Sequence, residues 1–335
     1  MSFDNITLEK GMYAHPTKSF SQVLEELDPT QNYQGTELEG MDAFSRQLKR
    51  FDIKVGGANS DSVSKFFATT HSAALFPEYV SRAVKQGIEE ANLLPSIVAT
   101  TTKINSLDYR TIHSVPSEDE KELKAVAEGE AIPETNVVTQ ENLVKLHKRG
   151  RMLVASYEAI KFQRLDLFTV TLRQIGAYIA ASQFKDAINV LKDGDGNENA
   201  AAVINAATEG TLTYADLLNL YKSMHPYEMN TLIMTPDMLV KLLSLDEFKN
   251  TMSGINFQTT GKLGNPLGAN IIKSNAALEN GIIALDKKCA LEMVVASDVK
   301  VDYDRLIDRQ LERAAITSIA GFAKIFNEAA KVLAV

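Results

Sequence analysis

The sequence predicts an α+β protein organised around one long helix. Three observations carry that expectation. Residues 166–192 form an uninterrupted run with helical apolar spacing. Before it, two runs of period two flank an acidic stretch. After it, short helical and strand patterns alternate in a way that suits one compact mixed domain.

In the long run, Phe168, Leu172, Ile175 and Ile179 share one helical face. Ala177, Ala181, Phe184, Ile188 and Leu191 make an adjoining face. Asp166 reads as the N-cap, its carboxylate accepting from free first-turn amides, and Asp193-Gly194-Asp195-Gly196 ends the run. At about 1.5 Å per residue the helix extends roughly 40 Å. Two apolar faces on one rod require cover from two directions, so it reads as a spine.

Composition bounds the rest. The 335 residues suffice for two or three compact units, and 45% apolar residues place the chain among well-packed proteins. A net charge of −8 and a pI near 5.3 argue against a protein that coats nucleic acid. No run of apolar residues is long enough to span a membrane, and the first residues lack the apolar segment of a signal peptide. The single cysteine, Cys289, excludes an internal disulfide and fits a reducing compartment.

Residues 1–70 read as an arm. Pro16, Pro29, Gly35, Gly40, Gly56 and Gly57 punctuate it, leaving only short helical pieces at 19–27 and 41–51. Their stripes, Phe20, Val23, Leu24 and Leu27, then Phe44, Leu48 and Phe51, are too small to bury a core alone. The arm is therefore expected to lie on another surface: a neighbouring copy, or, as the alternative, its own chain's core. Pro77 opens a helix with Val80, Val84 and Ile88 on its buried stripe. From Ile97 the period changes to two, and a second extended run covers 136–155. Between them, residues 116–134 carry Glu118, Asp119, Glu120, Glu122, Glu128, Glu130 and Glu134 against Lys121 and Lys124. The simplest reading is one long hairpin with an acidic tip. A lone two-stranded ribbon is marginal in water, so it too is expected to lie on another surface.

Beyond the spine, Thr213 caps a helix reaching Met224, with Leu217, Leu220, Tyr221 and Met224 apolar. A strand at 231–235 leads into a helix opened by Thr235-Pro236, with Leu239, Leu242 and Leu243 buried. Strands are expected at 269–274, 281–285 and 290–301, and a returning run at 311–326.

Several of these residues together resemble the major capsid proteins of tailed bacteriophages. They are Ala127-Glu128-Gly129-Glu130-Ala131-Ile132-Pro133-Glu134-Thr135, Lys145-Leu146-His147-Lys148, and Val154-Ala155-Ser156-Tyr157-Glu158. The order continues through the long helix, Gly194-Asp195-Gly196 and Leu263-Gly264-Asn265-Pro266-Leu267-Gly268. The likeness covers roughly 75–330 and implies a Hong Kong 97-like capsid fold. Its expected parts are an N-terminal arm at 1–70, the first peripheral helix at 71–99 and an E-loop hairpin at 100–155. A peripheral domain with the spine helix follows at 156–202, an axial domain at 203–297 and return strands at 298–335. The resemblance implies a structural, non-enzymatic protein of the virion that self-assembles into pentamers and hexamers around double-stranded DNA, with assembly in the host cytoplasm. Implied partners are further copies of itself, a portal, a scaffolding protein and decoration proteins. DNA is enclosed without specific binding, and no membrane or cofactor is involved. Some relatives join copies through a lysine on the hairpin and an asparagine near the C-terminus; residues 298–310 hold no asparagine, so no such cross-link is expected. An encapsulin-type nanocompartment on the same fold and a ligand-binding or enzymatic α/β protein are the alternatives.

The expected inter-subunit contacts are Glu118, Asp119, Glu120, Glu122, Glu128 and Glu130 at the tip, and Lys145, Lys148, Arg149 and Arg151 on the return strand. The cations, with His147, alternate with apolar residues, which favours a neighbour's acidic surface over nucleic acid. Catalytic and metal patterns are missing from the sequence. Asp193-Gly-Asp195-Gly-Asn197 opens like a calcium loop, but Glu198 and Ile204 stand where a glycine and an acid are needed. The five histidines are scattered, and Cys289 precedes an apolar strand.

Overall fold

The computed structural model describes residues 2–15, 18–113, 125–126, 128, 138–156, 158, 162–249, 265–306 and 311–335. The chain divides into two compact units. Eleven strands are described: β1 Thr100–Lys103, β2 Ile112–His113, β3 Val138–Thr139, β4 Leu146–Ser156, β5 Ala202–Asn205, β6 Thr231–Met234, β7 Asn270–Lys273, β8 Gly281–Leu285, β9 Leu291–Leu306, β10 Leu311–Lys324 and β11 Ala330–Ala334.

The first unit comprises Met1–Ala91, Arg149–Ala180 and Asp298–Ser318. Ser19 and Gln22 form a reciprocal capping box that starts the Phe20–Leu27 helix. Asp42 caps the Ala43–Arg50 helix by accepting from the Ser45 amide. Phe20, Leu24, Phe44 and Leu48 then point inward. They join Val80 and Val84 of the Phe76–Ala91 helix and Leu172 and Ile175 of the spine helix in one core. The expectation that the arm is held by a neighbour is thus corrected. Each stripe is too small alone, but two of them against two longer helices close a core. Leu27, read as part of that stripe, is 55% exposed.

A buried ion pair ties the two short helices together. Arg46 donates from Nε to Asp28 Oδ2 at 2.6 Å, with both side chains inaccessible. Tyr33 donates to the other Asp28 oxygen at 2.6 Å, and the Arg46 guanidinium stacks on the Tyr33 ring at 4.2 Å. The spine helix and the Phe76–Ala91 helix cross where both lack a side chain. Gly87 lies against the backbone of Arg173, and Gly176 against the backbone of Val84 and Ile88.

The second unit comprises Asn92–Lys148, Ala181–Ser297 and Ile319–Val335. Its five-stranded sheet has the order β5-β11-β8-β6-β7. Strand β11 runs parallel to β5 and antiparallel to β8, which runs antiparallel to β6; β6 and β7 are parallel. The pleat sorts its side chains by period two. Ile233, Ile283, Leu285 and Val332 face Phe184, Ile188 and Leu191 of the spine helix. Leu232, Met234, Ile282 and Leu333 face Leu217, Leu220, Met238 and Leu242 of the Tyr214–Ser223 and Pro236–Leu243 helices. Those helices start where expected, on the side-chain caps of Thr213 and Thr235.

The spine helix runs Leu165–Asp193. Its two apolar faces serve different units: Phe168, Leu172, Ile175 and Ile179 belong to the first unit's core, and Phe184, Ala187, Ile188 and Leu191 to the second unit's. Ala181, placed on the second face by the sequence, is exposed. Asp166 stands inside the first turn instead of capping it, and accepts from the Leu167 amide at 2.9 Å. Tyr221 is also corrected, at 51% exposed.

The single long hairpin is corrected as well. Strand β1 pairs in parallel with β9, and β4 is the last strand in the sheet order β1-β9-β10-β4. The two arms meet through β2 and β3, with Ile112 opposite Thr139 and His113 opposite Val138. Two further bonds, from the Gln140 amide to Thr111 O and the Val144 amide to Tyr109 O, extend the contact toward its base. Strand β5 carries no expectation from the sequence, and β11 falls within the return strands expected over 298–335. Both are short, and what makes them strands is their pairing with each other and with β8.

Candidate assembly interface

Among the described residues, β4 is the last strand of its sheet, paired on one side with β10. In the second unit, Lys145, His147 and Lys148 are exposed. In the first unit, Arg151 is exposed, Met152 and Val154 are 52% and 50% exposed, and Arg149 is half-buried. Arg151 lies over the Tyr178 ring at 5.5 Å, and Tyr178 is itself half exposed on the spine helix. A Cβ at Gly150 would stand 2.5 Å from the Ile316 carbonyl, so that glycine lets β4 approach β10. The exposed residues combine cations and apolar groups along the last described strand of a sheet, the chemistry of an edge that can receive another chain.

Of the acidic candidates, Glu128 is described and exposed in a turn. Glu118, Asp119, Glu120, Glu122 and Glu130 lie outside the described residues, as do Ala127, Gly129 and residues 131–135 of the resembling stretch.

Two polar locks hold the segments that lead to and from the acidic stretch, and neither was found by pattern reading. Buried Glu292 of β9 accepts from Tyr109 OH at 2.8 Å, Thr111 Oγ1 at 2.6 Å and Thr102 Oγ1 at 2.5 Å. Asn142 donates from Nδ2 to Gly196 O at 2.8 Å, and its amide donates to Asn197 Oδ1 at 3.0 Å. The available signal for Glu292 was a lone acid at an inward position of an apolar strand.

The Gly194–Asn199 turn is a structural knot. Buried Asp195 accepts from Asn197 Nδ2 at 2.9 Å on one oxygen and from the Lys324 amide at 3.0 Å on the other. Chain donors thus occupy the oxygens that a calcium loop would need. Lys324 is 1% exposed and donates from Nζ to Asn199 O at 2.8 Å. Burial pulls its ammonium down to about 8 from 10.5, against the pull of nearby Asp195. Below about pH 8 the fold carries the whole cost of burying that charge. Between about 8 and 10.5 the folded chain releases the proton while the unfolded chain keeps it, so stability rises with pH across this window. The rise expected in urea titrations is about 3 kcal/mol, at about 1.4 kcal/mol per unit. In Lys324→Met it is absent; an unchanged rise in that variant would assign it elsewhere.

Cys289 offers no nucleophile: burial, then the charge of Asp286, pushes its thiol up to about 12. Among the described residues no three His, Cys, Asp or Glu side chains are grouped to hold a metal, and no helix is long and apolar enough to cross a membrane.

Comparison with known proteins agrees with this geometry. The family model described as phage capsid protein matches residues 139–316, just over half of the chain. No curated protein matches. Among solved structures, a virus-like particle from Pyrococcus furiosus is similar at 16% identity and a TM-score of 0.55, over 77% of this chain and 99% of that one. A chain of Gordonia phage Cozz is similar at 15% identity and a TM-score of 0.52, covering 72% of this chain and 86% of that one. The capsid of a native GTA particle is similar at 12% identity and a TM-score of 0.53, over 75% and 90% of the two chains. At such identities these likenesses establish the fold. With the family match, they make the chain a member of the phage capsid proteins: a structural shell protein of the virion with the Hong Kong 97-like fold.

Proposed function

We propose that many copies of this chain close into pentamers and hexamers, that these rings build an icosahedral phage head, and that the head encloses double-stranded DNA. The observation that carries this reading is the exposed edge strand β4, with its cations and apolar side chains, in a chain of the phage capsid family. Heterologous contacts close into rings when the rotation between copies closes. Each contact can be modest, because many simultaneous ones add up to large avidity. The acidic balance suits an interior that does not grip the DNA packed into it. Portal, scaffolding and decoration proteins are the further partners of this reading. The tip acids Glu118, Asp119, Glu120, Glu122, Glu128 and Glu130 and the strand cations Lys145, Lys148, Arg149 and Arg151 are its contact residues.

Deleting residues 116–133 tests it. The subunit is expected to remain folded, by circular dichroism and thermal melting, while electron microscopy shows no shells. Normal particles from the deleted chain would contradict the reading. A second reading, an encapsulin-type compartment, is favoured by the likeness to the virus-like particle, which spans 99% of that chain. Native mass spectrometry separates the two by content: genomic DNA for a phage head, enclosed enzyme for a compartment.

A further inference from the structure

In the second unit, three buried polar side chains with complementary chemistry meet. Lys324, Asn199 and Asp195 are 1%, 3% and 5% exposed. Lys324 is the last residue of β10, and the other two lie in the turn that follows the spine helix. The Lys324 ammonium donates at 2.8 Å to the main-chain oxygen of Asn199, so the amine lies against the residue that carries the carboxamide. The carboxamide oxygen, Asn199 Oδ1, accepts from the Asp195 amide at 2.9 Å. A Cβ at Gly194 would stand 2.6 Å from the same oxygen, so glycine there leaves room for it. Asp195 completes the set. Its Oδ2 accepts from the Lys324 amide at 3.0 Å, and its charge bears on the ammonium.

Each member suits one reaction. An amine attacks only without its proton, and burial holds the Lys324 ammonium down to about 8, so roughly a tenth is free amine at about pH 7. The Asp195 amide already sits on the oxygen that gains charge when a carboxamide is attacked. A buried carboxylate beside both groups can move a proton from the attacking nitrogen to the departing one.

We propose that Lys324 and Asn199 join in an isopeptide bond within one copy of the chain, with Asp195 as the proton carrier. Lys324 Nζ forms a bond to Asn199 Cγ, and the Asp195 carboxylate takes the proton from that nitrogen. The proton passes to Asn199 Nδ2, the Cγ–Nδ2 bond breaks, and ammonia leaves. One amide replaces another, so no oxidant, reductant or further reactant is needed. The new amide is neutral, which removes the cost of burying an ammonium. The bond closes a loop from 199 to 324 and ties the end of β10 to the turn after the spine helix. It joins a copy to itself and not to its neighbours, and it does not depend on the shell reading.

Intact mass and a peptide map test this on the full chain. After incubation at about pH 9, above the amine's value of about 8, the wild type is expected to be lighter than its sequence by one ammonia. Lys324→Met is expected to keep its full mass. In a tryptic digest, Lys324 is expected to resist cleavage, leaving one branched peptide that joins 193–222 to 314–331. Below about pH 8 the rate is expected to fall about tenfold per pH unit, following the free amine. The rise in stability between about 8 and 10.5 given above belongs to the chain whose amine is still free, and it fades as the bond forms. A wild type of unchanged mass overturns the proposal, as does cleavage at Lys324 with the two peptides recovered apart. An equal loss of ammonia from Lys324→Met overturns it too, because another asparagine would then be the source. The map needs only the wild-type chain, so the outcome does not rest on how well the variant folds.

Discussion

Gly176→Ala is expected to destabilise the subunit by about 3 kcal/mol, the upper end of what overpacking costs. In an ordinary helix the same change stabilises by about 1 kcal/mol, because glycine is the poorer helix former. Here the sign reverses. A Cβ at Gly176 would overlap the Val84 carbonyl oxygen and stand 2.8 Å from the Ile88 amide nitrogen. Neither is the end of a flexible side chain, so the two helices must separate. Separation opens the layer in which Val80, Val84, Leu172 and Ile175 are all at most 7% exposed. Gly87 faces the Arg173 backbone in the same way, so Gly87→Ala should behave alike, and the double variant should cost less than the sum. Urea denaturation of the isolated subunit measures this. A midpoint at or above that of the wild type would show that the crossing does not depend on close approach.

Arg46→Met is the second large effect, at about 3–5 kcal/mol. The pair with Asp28 lies fully inside the first unit, and Arg46 also bonds Thr30 Oγ1 at 3.2 Å and the Met41 carbonyl. Removing the arginine leaves the Asp28 carboxylate buried without its cation, with Tyr33 still donating to it. The penalty is that of an uncompensated charge more than of a lost contact. Arg46→Met combined with Asp28→Leu is therefore expected to be more stable than Arg46→Met alone, because no charge is then left behind. If the double variant were the weaker of the two, the ion pair itself, and not the stranded carboxylate, would be the source of the loss. The melting temperatures of the wild type and the two variants decide between these outcomes.

Local chemistry was legible in the chain. The Thr213 cap and the Thr235-Pro236 helix start, and the short helical runs expected at 19–27 and 41–51, are set within a few residues of sequence, so pattern and structure agree on where those helices lie. The long apolar period that marks the spine, and the strands at Thr231–Met234 and Gly281–Leu285, are also properties of short windows. The capsid-family resemblance, an order of short signatures along the chain, belongs to the same class of information.

What surrounds each element was a different matter. Whether the first seventy residues lie on a neighbour or on their own core depends on whether other helices complete their stripes, and Val80, Val84, Leu172 and Ile175 do so from far along the chain. Thr100–Lys103 reads as one arm of a ribbon, yet its partner is β9, almost two hundred residues on. The hydroxyls that satisfy Glu292, the backbone that demands glycine at 87 and 176, and the Lys324 amine set against Asn199 are equally non-local. Sequence by itself determined the elements and the family, because caps and periods act over a few residues. Only tertiary structure decided partners, burial and charge balance, because those arise when distant segments remove one another from water.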